Sequence, residues 1–467
     1  VYTGADGRAY RLERLEKKPD GYTRIGKNML RYYPNGFYEI EREDDAYFYV
    51  RQYLPVKVEP KKVAVAEIAP LSPPVSEEFS WHEFGKDLPR SGQWRDNFAV
   101  ADINGDGFPD LIFTPARKTL TNPVVFLGDG KGKWTPWKAA QYPALSFDYG
   151  GAAVGDFNGD GKPDIALGIH LSGVTVLTGD GKGKFSDFST GLPRKKSGER
   201  PSFSSRKVFA YDWNGDGKTG LIALNERLGA DPGGTHDGAV VFVNHDGTWT
   251  TAANDAPLRE AVLMAVDASG KKLALADAPT SAGSVRISER KSGVWAIHDI
   301  AGFAPDALLT ALAVTDEADV AGNSVFVIAH RRHVQSNWWT QIDLVSLHGD
   351  QWQRTPLSAQ RDVSGVAAVA FGKLRKGTFR DIVMLDESGE TSILRQTGAT
   401  SYTHDHGLPT PAWRAGCQGA GLQTVDLDKD GIDEIVVSFA GEGTALTKST
   451  ECISGGAIQA FKISSAH

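Results

Sequence analysis

Four segments of this 467-residue chain are near copies of one another: Asp102-Ile-Asn-Gly-Asp-Gly-Phe-Pro-Asp110, Asp156-Phe-Asn-Gly-Asp-Gly-Lys-Pro-Asp164, Asp212-Trp-Asn-Gly-Asp-Gly-Lys-Thr-Gly220 and Asp426-Leu-Asp-Lys-Asp-Gly-Ile-Asp-Glu434. The first three start 54 and 56 residues apart. A repeat of that length constrains the fold more than any composition figure, because each copy is one supersecondary unit that must bury its apolar faces against its neighbours. The gap of 214 residues between the third and fourth copies leaves room for three more units.

Those units are present in degenerate form. Leu263-Met-Ala-Val-Asp267 precedes Leu273-Ala-Leu, Leu312-Ala-Val-Thr-Asp316 precedes Val325-Phe-Val-Ile, and Val369-Ala-Phe-Gly372 precedes Asp381-Ile-Val-Met. Each keeps two apolar runs around a polar loop and loses most of the acids. A second signal recurs later in each of the first six units, an aromatic after a turn: Trp134, Phe185, Trp249, Trp295, Trp352 and Tyr402. The seventh unit ends at Ala457-Ile-Gln-Ala-Phe-Lys-Ile-Ser without such a partner, whereas Phe79-Ser-Trp81 stands ahead of the first unit.

Each unit reads as four short strands. The expected fold is therefore all-β: a seven-bladed β-propeller of four-stranded antiparallel blades over residues 76–467, its last blade closed by the N-terminal strand near Trp81. An open β-solenoid has shorter coils and leaves the displaced strand unexplained. Residues 1–75 lie outside the repeat and read as a small N-terminal β appendage, with alternation around Phe37 and Tyr47, followed by a Pro-rich linker at Pro70-Leu-Ser-Pro-Pro74.

The spacing of the acidic loops suits a divalent ion. Oxygen-bearing residues at positions 1, 3, 5 and 9, with glycine at 6 for the sharp turn, can wrap one hard cation, and a carbonyl at position 7 completes the shell. The expected ligands are Asp102, Asn104, Asp106 and Asp110; Asp156, Asn158, Asp160 and Asp164; Asp212, Asn214 and Asp216; and Asp426, Asp428, Asp430 and Glu434. Gly220 replaces the last carboxylate of the third loop, so three to four structural calcium ions are expected. Closure at position 9 between strands distinguishes the loop from an EF-hand, which closes at 12 before a helix. Ordinary Asx turns are the plainer alternative for any single copy.

The loops resemble those of the FG-GAP/VCBS family of calcium-loop β-propellers, which include integrin α-subunit heads. The resemblance spans roughly residues 79–467, is strong in the four quoted loops and weak in units four to six. It implies the propeller and the ion, while the family's members range over adhesins, lectins and polysaccharide-processing enzymes.

Propeller connectivity puts the acidic loops on one face and the longer insertions on the other, where binding is expected. Candidate ligand-binding residues there are Arg331, His333, Asn337 and Trp338, in an insertion running from His330 to Trp339, together with His170; Arg117, Lys118, Arg200 and Arg206 reach the same side. Guanidinium forks match carboxylates or sulfates, and aromatic faces cover sugar rings. The expected function is extracellular recognition of a carbohydrate or surface polymer. The alternative is a polysaccharide lyase acting on a uronate-containing glycan by β-elimination, for which an Arg neutralises the carboxyl and a His or Tyr moves the proton. Arg331 with His333, or Arg227 with His236, are the candidate pairs, and Tyr149 is the candidate acid. His330 and His333 as zinc ligands lack a third partner.

Expected partners are thus a glycan, acidic ones included, or a protein surface. A net charge of −7 argues against a nucleic-acid coat, and no apolar run is long enough for a membrane-spanning helix. The chain opens at Val1 with no charged-then-apolar leader, as an export product would after cleavage or a trimmed chain would. Cys417 and Cys452, the two cysteines, both fall in the seventh unit; a bond between them would close a 35-residue span. The cysteine pair, the calcium and the family resemblance together favour an extracellular, periplasmic or cell-surface location.

Overall fold

In the computed structural model the described residues are 2–3, 9–18, 20–25, 27–32, 36–53, 70–75, 79–117, 121–145, 147–194, 203–226, 238–253, 255–267, 269–291, 293–315, 324–334, 337–361, 363–405, 407–441, 452 and 454–465. The chain divides into two compact units, Val1–Ile68 and Ala69–His467. The first is a six-stranded antiparallel sheet in the order Tyr2–Thr3, Ala9–Glu16, Tyr47–Tyr53, Gly36–Glu43, Met29–Tyr32, Tyr22–Ile25. Alternation along its strands buries Leu15, Leu30, Tyr38, Phe48 and Val50 on one side.

The second unit contains seven four-stranded antiparallel sheets among the described residues. The second strand of each is almost wholly apolar because sheets cover it on both faces; all six residues of Asp164–Ile169 and all seven of Glu434–Ala440 are buried. The first strands of all seven sheets, such as Gly150–Gly155 and Val366–Gly372, surround a central cavity of about 600 Å3. Its wall is rich in alanine, because only small side chains fit where wedges converge. Glycine permits the closest approaches: a Cβ on Gly151 would lie 2.5 Å from the carbonyl oxygen of Arg206, and one on Gly421 would lie 2.7 Å from that of Asp96. The amide of Gln423 donates to Asn97 Oδ1 and to the Phe98 carbonyl, each at 3.3 Å, joining the seventh sheet to the first.

Phe79–Glu83 forms the outer strand of the seventh sheet, pairing antiparallel with Gly456–Ser465 from Ser465↔Phe79 to Phe461↔Glu83. Phe79, at the strand's start, is the buried aromatic there, and Trp81 packs at the margin of the same core. Between sheets the repeated aromatics fill the wedge: Trp249 is 1% exposed and donates its indole N–H to the Phe188 carbonyl at 2.7 Å.

Two expectations change. The Pro-rich stretch, assigned by sequence to the appendage side of a boundary at 75, lies in the propeller unit. The Leu71 N–H donates to the Ala359 carbonyl at 3.0 Å, the Leu71 carbonyl accepts from the Ala359 N–H at 2.9 Å, and the Pro74 carbonyl accepts from the His404 N–H at 2.7 Å, so the stretch runs along outer strands of the fifth and sixth sheets. The segment from His330 to Trp339 is not an irregular insertion. Phe326–Val334 and Asn337–His348 continue as paired strands, in register from Phe326↔Val345 to Val334↔Asn337, so the ladder runs through His330 and Trp339.

A disulfide joins Cys417 to Cys452, with Cα atoms 4.6 Å apart. A cross-link over that separation stabilises by about 2–4 kcal/mol. No helix among the described residues is long and apolar enough to cross a membrane.

Candidate functional site

The acidic loops share one backbone design. In the first, Asp102 Oδ1 accepts from the N–H groups of Gly105 (2.7 Å) and Asp106 (3.1 Å), and its Oδ2 accepts from Gly107 (2.8 Å). Asp156 and Asp212 repeat this pattern. The sequence points to glycine at position 6, but position 4 also takes a left-handed backbone: Gly105 and Gly159 have φ of 75° and Gly215 of 69°. In the last loop Lys429 holds φ of 63° at that position.

Position 9 opens the second strand, and its carboxylate is fully buried in Asp110, Asp164 and Glu434. Asp110 accepts from Ile103 N–H at 3.0 Å and Gly128 N–H at 2.9 Å, tying the loop to the third strand, and Asp164 does the same with Phe157 and Gly179. Burial pushes both acids up, to about 7 and about 6, and Glu434 to about 7. Buried carboxylates beside further acids form an all-oxygen donor set suited to a hard cation. In the third loop Gly220 offers no carboxylate, as its sequence indicates. In the sixth sheet, whose loop has lost its other acids, Asp381 keeps the ninth position and accepts from Gln396 N–H at 2.8 Å. By sequence that unit lacks a complete site; the register of Asp381 at the head of its strand marks the position it keeps.

On the opposite face the first three sheets bring charged residues to the cavity rim. Arg206 Nη1 donates to Asp96 Oδ1 at 3.1 Å, and its Nε faces Glu226. Glu226 also meets His170 Nδ1 at 2.8 Å and accepts from the Ser204 hydroxyl, which itself accepts from the Leu171 N–H at 2.7 Å. The ring of Tyr149 stacks on that of His170, with the guanidinium carbons of Arg117 and Arg95 at 5.2 and 5.8 Å from the Tyr149 centroid. Two non-glycine residues of this cluster are left-handed, Asp96 at φ 68° and Leu171 at φ 54°, a strain that concentrates at functional sites.

Burial raises the Asp96 acid to about 6 against the pull of Arg206. It also raises the Tyr149 phenol, which the three arginines draw back down. Arg95 is lowered by burial and by the like charge of Arg117, whereas Arg206 is held up by Asp96 and Glu226 although burial opposes it. Three guanidiniums thus face two carboxylates around one aromatic surface, which favours an anionic guest.

The other sequence-predicted residues fall elsewhere. Arg331 and His333, two apart on one strand, flank Trp338: the guanidinium lies 4.9 Å from the indole centroid and the imidazole meets it edge-on at 5.3 Å. Trp338 faces out and Trp339 in, the two sides of a strand. Arg331 is engaged, with Nη1 3.3 Å from Glu387 Oε2 and Nη2 donating to the Val363 carbonyl at 3.2 Å. Asn337 begins the returning strand opposite Val334. His330 does not join His333 as a metal pair: three positions apart, it points into the core and meets Asp343 Oδ2 at 2.7 Å. Arg227 and His236, with Lys118 and Arg200, lie outside the described residues. Asp96, Arg95, Ser204 and Glu226 escaped the sequence reading because none belongs to a motif; their meeting depends on two separate sheets, the first and the third.

The sequence pattern of the FG-GAP-like repeat matches residues 102–167, the first two acidic loops and the strands between them. The protein is a β-propeller that carries FG-GAP-like repeats. The FG-GAP propeller is 40% identical over 86 residues to integrin alpha-7 of Homo sapiens and 36% identical over 86 residues to that of Rattus norvegicus. Each match takes in 16% of this chain, and it spans only 7% and 8% of the respective curated relatives. Among solved structures it is similar to the BP39L lectin from Burkholderia pseudomallei, with a TM-score of 0.51 at 12% identity, covering 80% of this chain and 98% of the lectin. At that identity the likeness speaks for the shared fold.

Proposed function

We propose that this FG-GAP propeller is an exported, calcium-stabilised binding protein that takes an acidic glycan or surface polymer at the rim formed by its first three sheets. The observation that carries this reading is the gathering of the Arg95 and Arg117 guanidiniums around the Tyr149 ring, which stacks on His170, with Arg206 beside them. Neighbouring guanidinium forks take a carboxylate or sulfate. The lectin's fold is compatible with such a role. Calcium in the acidic loops would neutralise the buried carboxylates and lock first strand to second, and the disulfide suits an oxidising compartment.

Calorimetric titration with uronate oligosaccharides tests the reading. Binding that weakens at least about tenfold, roughly 1.4 kcal/mol, in both Arg117→Ala and Tyr149→Ala supports it. Equal affinity in wild type and both variants refutes the site.

The same geometry favours a second reading, β-elimination. His170 Nδ1 is engaged by Glu226, so Nε2 is the ring nitrogen placed to act as a base. Tyr149, kept protonated by burial, stands beside it as an acid, and an arginine neutralises the uronate carboxylate. Turnover of the same oligosaccharides to unsaturated uronates, read by ultraviolet absorbance, would establish a lyase; binding without product leaves the binding protein.

A further inference from the structure

The fourth acidic loop differs from the others in where its charge is answered. Lys462, on the strand Gly456–Ser465, reaches back into the loop of its own sheet. Its ammonium contacts Asp428, donates to Asp430 Oδ2 at 2.7 Å and lies 3.3 Å from Glu434 Oε1. These are the carboxylates at positions 3, 5 and 9, which a bound ion would share. Asp426, Asp428 and Glu434 bring one carboxylate oxygen each to within 4.8 Å of one another, so the pocket is of ion size and Lys462 stands at it.

We propose that Lys462 is the resident cation of the seventh loop, so that this loop takes no calcium ion in the native protein. The inference deepens the calcium reading of the other loops, with which this loop is compared. Two cations sharing the same carboxylates a few ångströms apart repel one another strongly, so the ammonium and the ion exclude each other. The strand fixes the backbone from which the side chain reaches the loop: Lys462 pairs with His82 in the register, and its neighbour Phe461 is buried. The last loop also departs from the ion-binding pattern in its backbone, where Lys429 takes the left-handed position filled by glycine in the other three.

The sixth sheet repeats the substitution, with the Arg375 guanidinium 3.3 Å from Asp381 Oδ1 at the ninth position. The seventh sheet joins the two ends of the propeller unit. A cation attached covalently keeps that closure intact when free calcium is scarce, while the loops of the first sheets respond to the ion.

The test counts calcium per folded chain by equilibrium dialysis and elemental analysis of the full-length protein. Lys462→Gln is expected to bind one ion more than wild type, and Lys462→Gln/Asp430→Ala is expected to lose it again. Asp430→Ala alone is expected to leave the wild-type count unchanged, and this arm decides the matter if Lys462→Gln fails to fold by circular dichroism. A folded Lys462→Gln with the wild-type count, or an ion lost from wild type on Asp430→Ala, overturns the proposal. A wild-type count of zero with one ion gained in Lys462→Gln refutes calcium in the first three loops and still supports Lys462 as the resident cation.

Discussion

Tyr149 lies on the face of His170 with ring centroids 4.7 Å apart and planes 28° from parallel, and the two side chains come from neighbouring connections on the same sheet. Because His170 is in turn held by Glu226, the stack is anchored through a chain that ends at Arg206 and Asp96. Glu226→Gln should therefore weaken acidic-glycan binding about three- to tenfold through mispositioning alone, while Tyr149→Phe, which keeps the ring, should retain most of it. Titration calorimetry on both variants checks this; a greater loss in Tyr149→Phe than in Glu226→Gln would contradict the stacked arrangement.

Asp96 gives the cluster a pH signature. Its acid is raised in the folded chain to about 6 from an ordinary 3.8, so the folded state binds more protons than the unfolded state between those values. Its contribution is fully favourable below pH 4 and is lost as pH rises through 6. Asp96→Asn should remove that part of the slope, at most about 3 kcal/mol, so the stability difference between variant and wild type should grow in the variant's favour from pH 4 to 6 and then level off. Urea unfolding across that range measures it, and parallel curves would rule it out.

Calcium removal should loosen the first sheets. A site bound at a hundredfold excess over its Kd contributes about 2.7 kcal/mol, so chelation should lower Tm by roughly 5 °C or more, recovered on adding calcium but not magnesium. An unchanged melting curve in verified metal-free protein would refute the structural role.

Lys429 occupies a left-handed conformation with glycine at the corresponding place in the three other loops. A side chain there costs about 1–2 kcal/mol, partly offset by the greater unfolded-state freedom of glycine. Lys429→Gly should stabilise the protein by about 0.5–1 kcal/mol in chemical denaturation; destabilisation would show that the lysine side chain makes a compensating contact.

Much of the propeller was legible before any coordinates, because a repeat writes its signal locally. The loop at Asp102 and its copies, the aromatic ahead of each outer strand and the stray Phe79-Ser-Trp81 segment all follow from spacing along the chain. The hairpin carrying Arg331 and His333 was misjudged as a loop, since charged residues at a strand's exposed end look like an insertion. Arg331 and His333 do share a face with Trp338, as strand periodicity requires, yet Arg331 is already engaged by Glu387 from the next sheet.

The chain's own pattern determined the all-β units, their order and the acidic turns, since each depends on residues within a few positions of one another and on apolar periodicity. Only the tertiary structure decided that Asp96, Tyr149, His170, Arg206 and Glu226 meet at one rim, and that Lys462 answers the acids of the last loop. Those contacts join residues tens of positions apart, and they exist because sheets packed around a common axis bring the ends of separate strands within reach of one another.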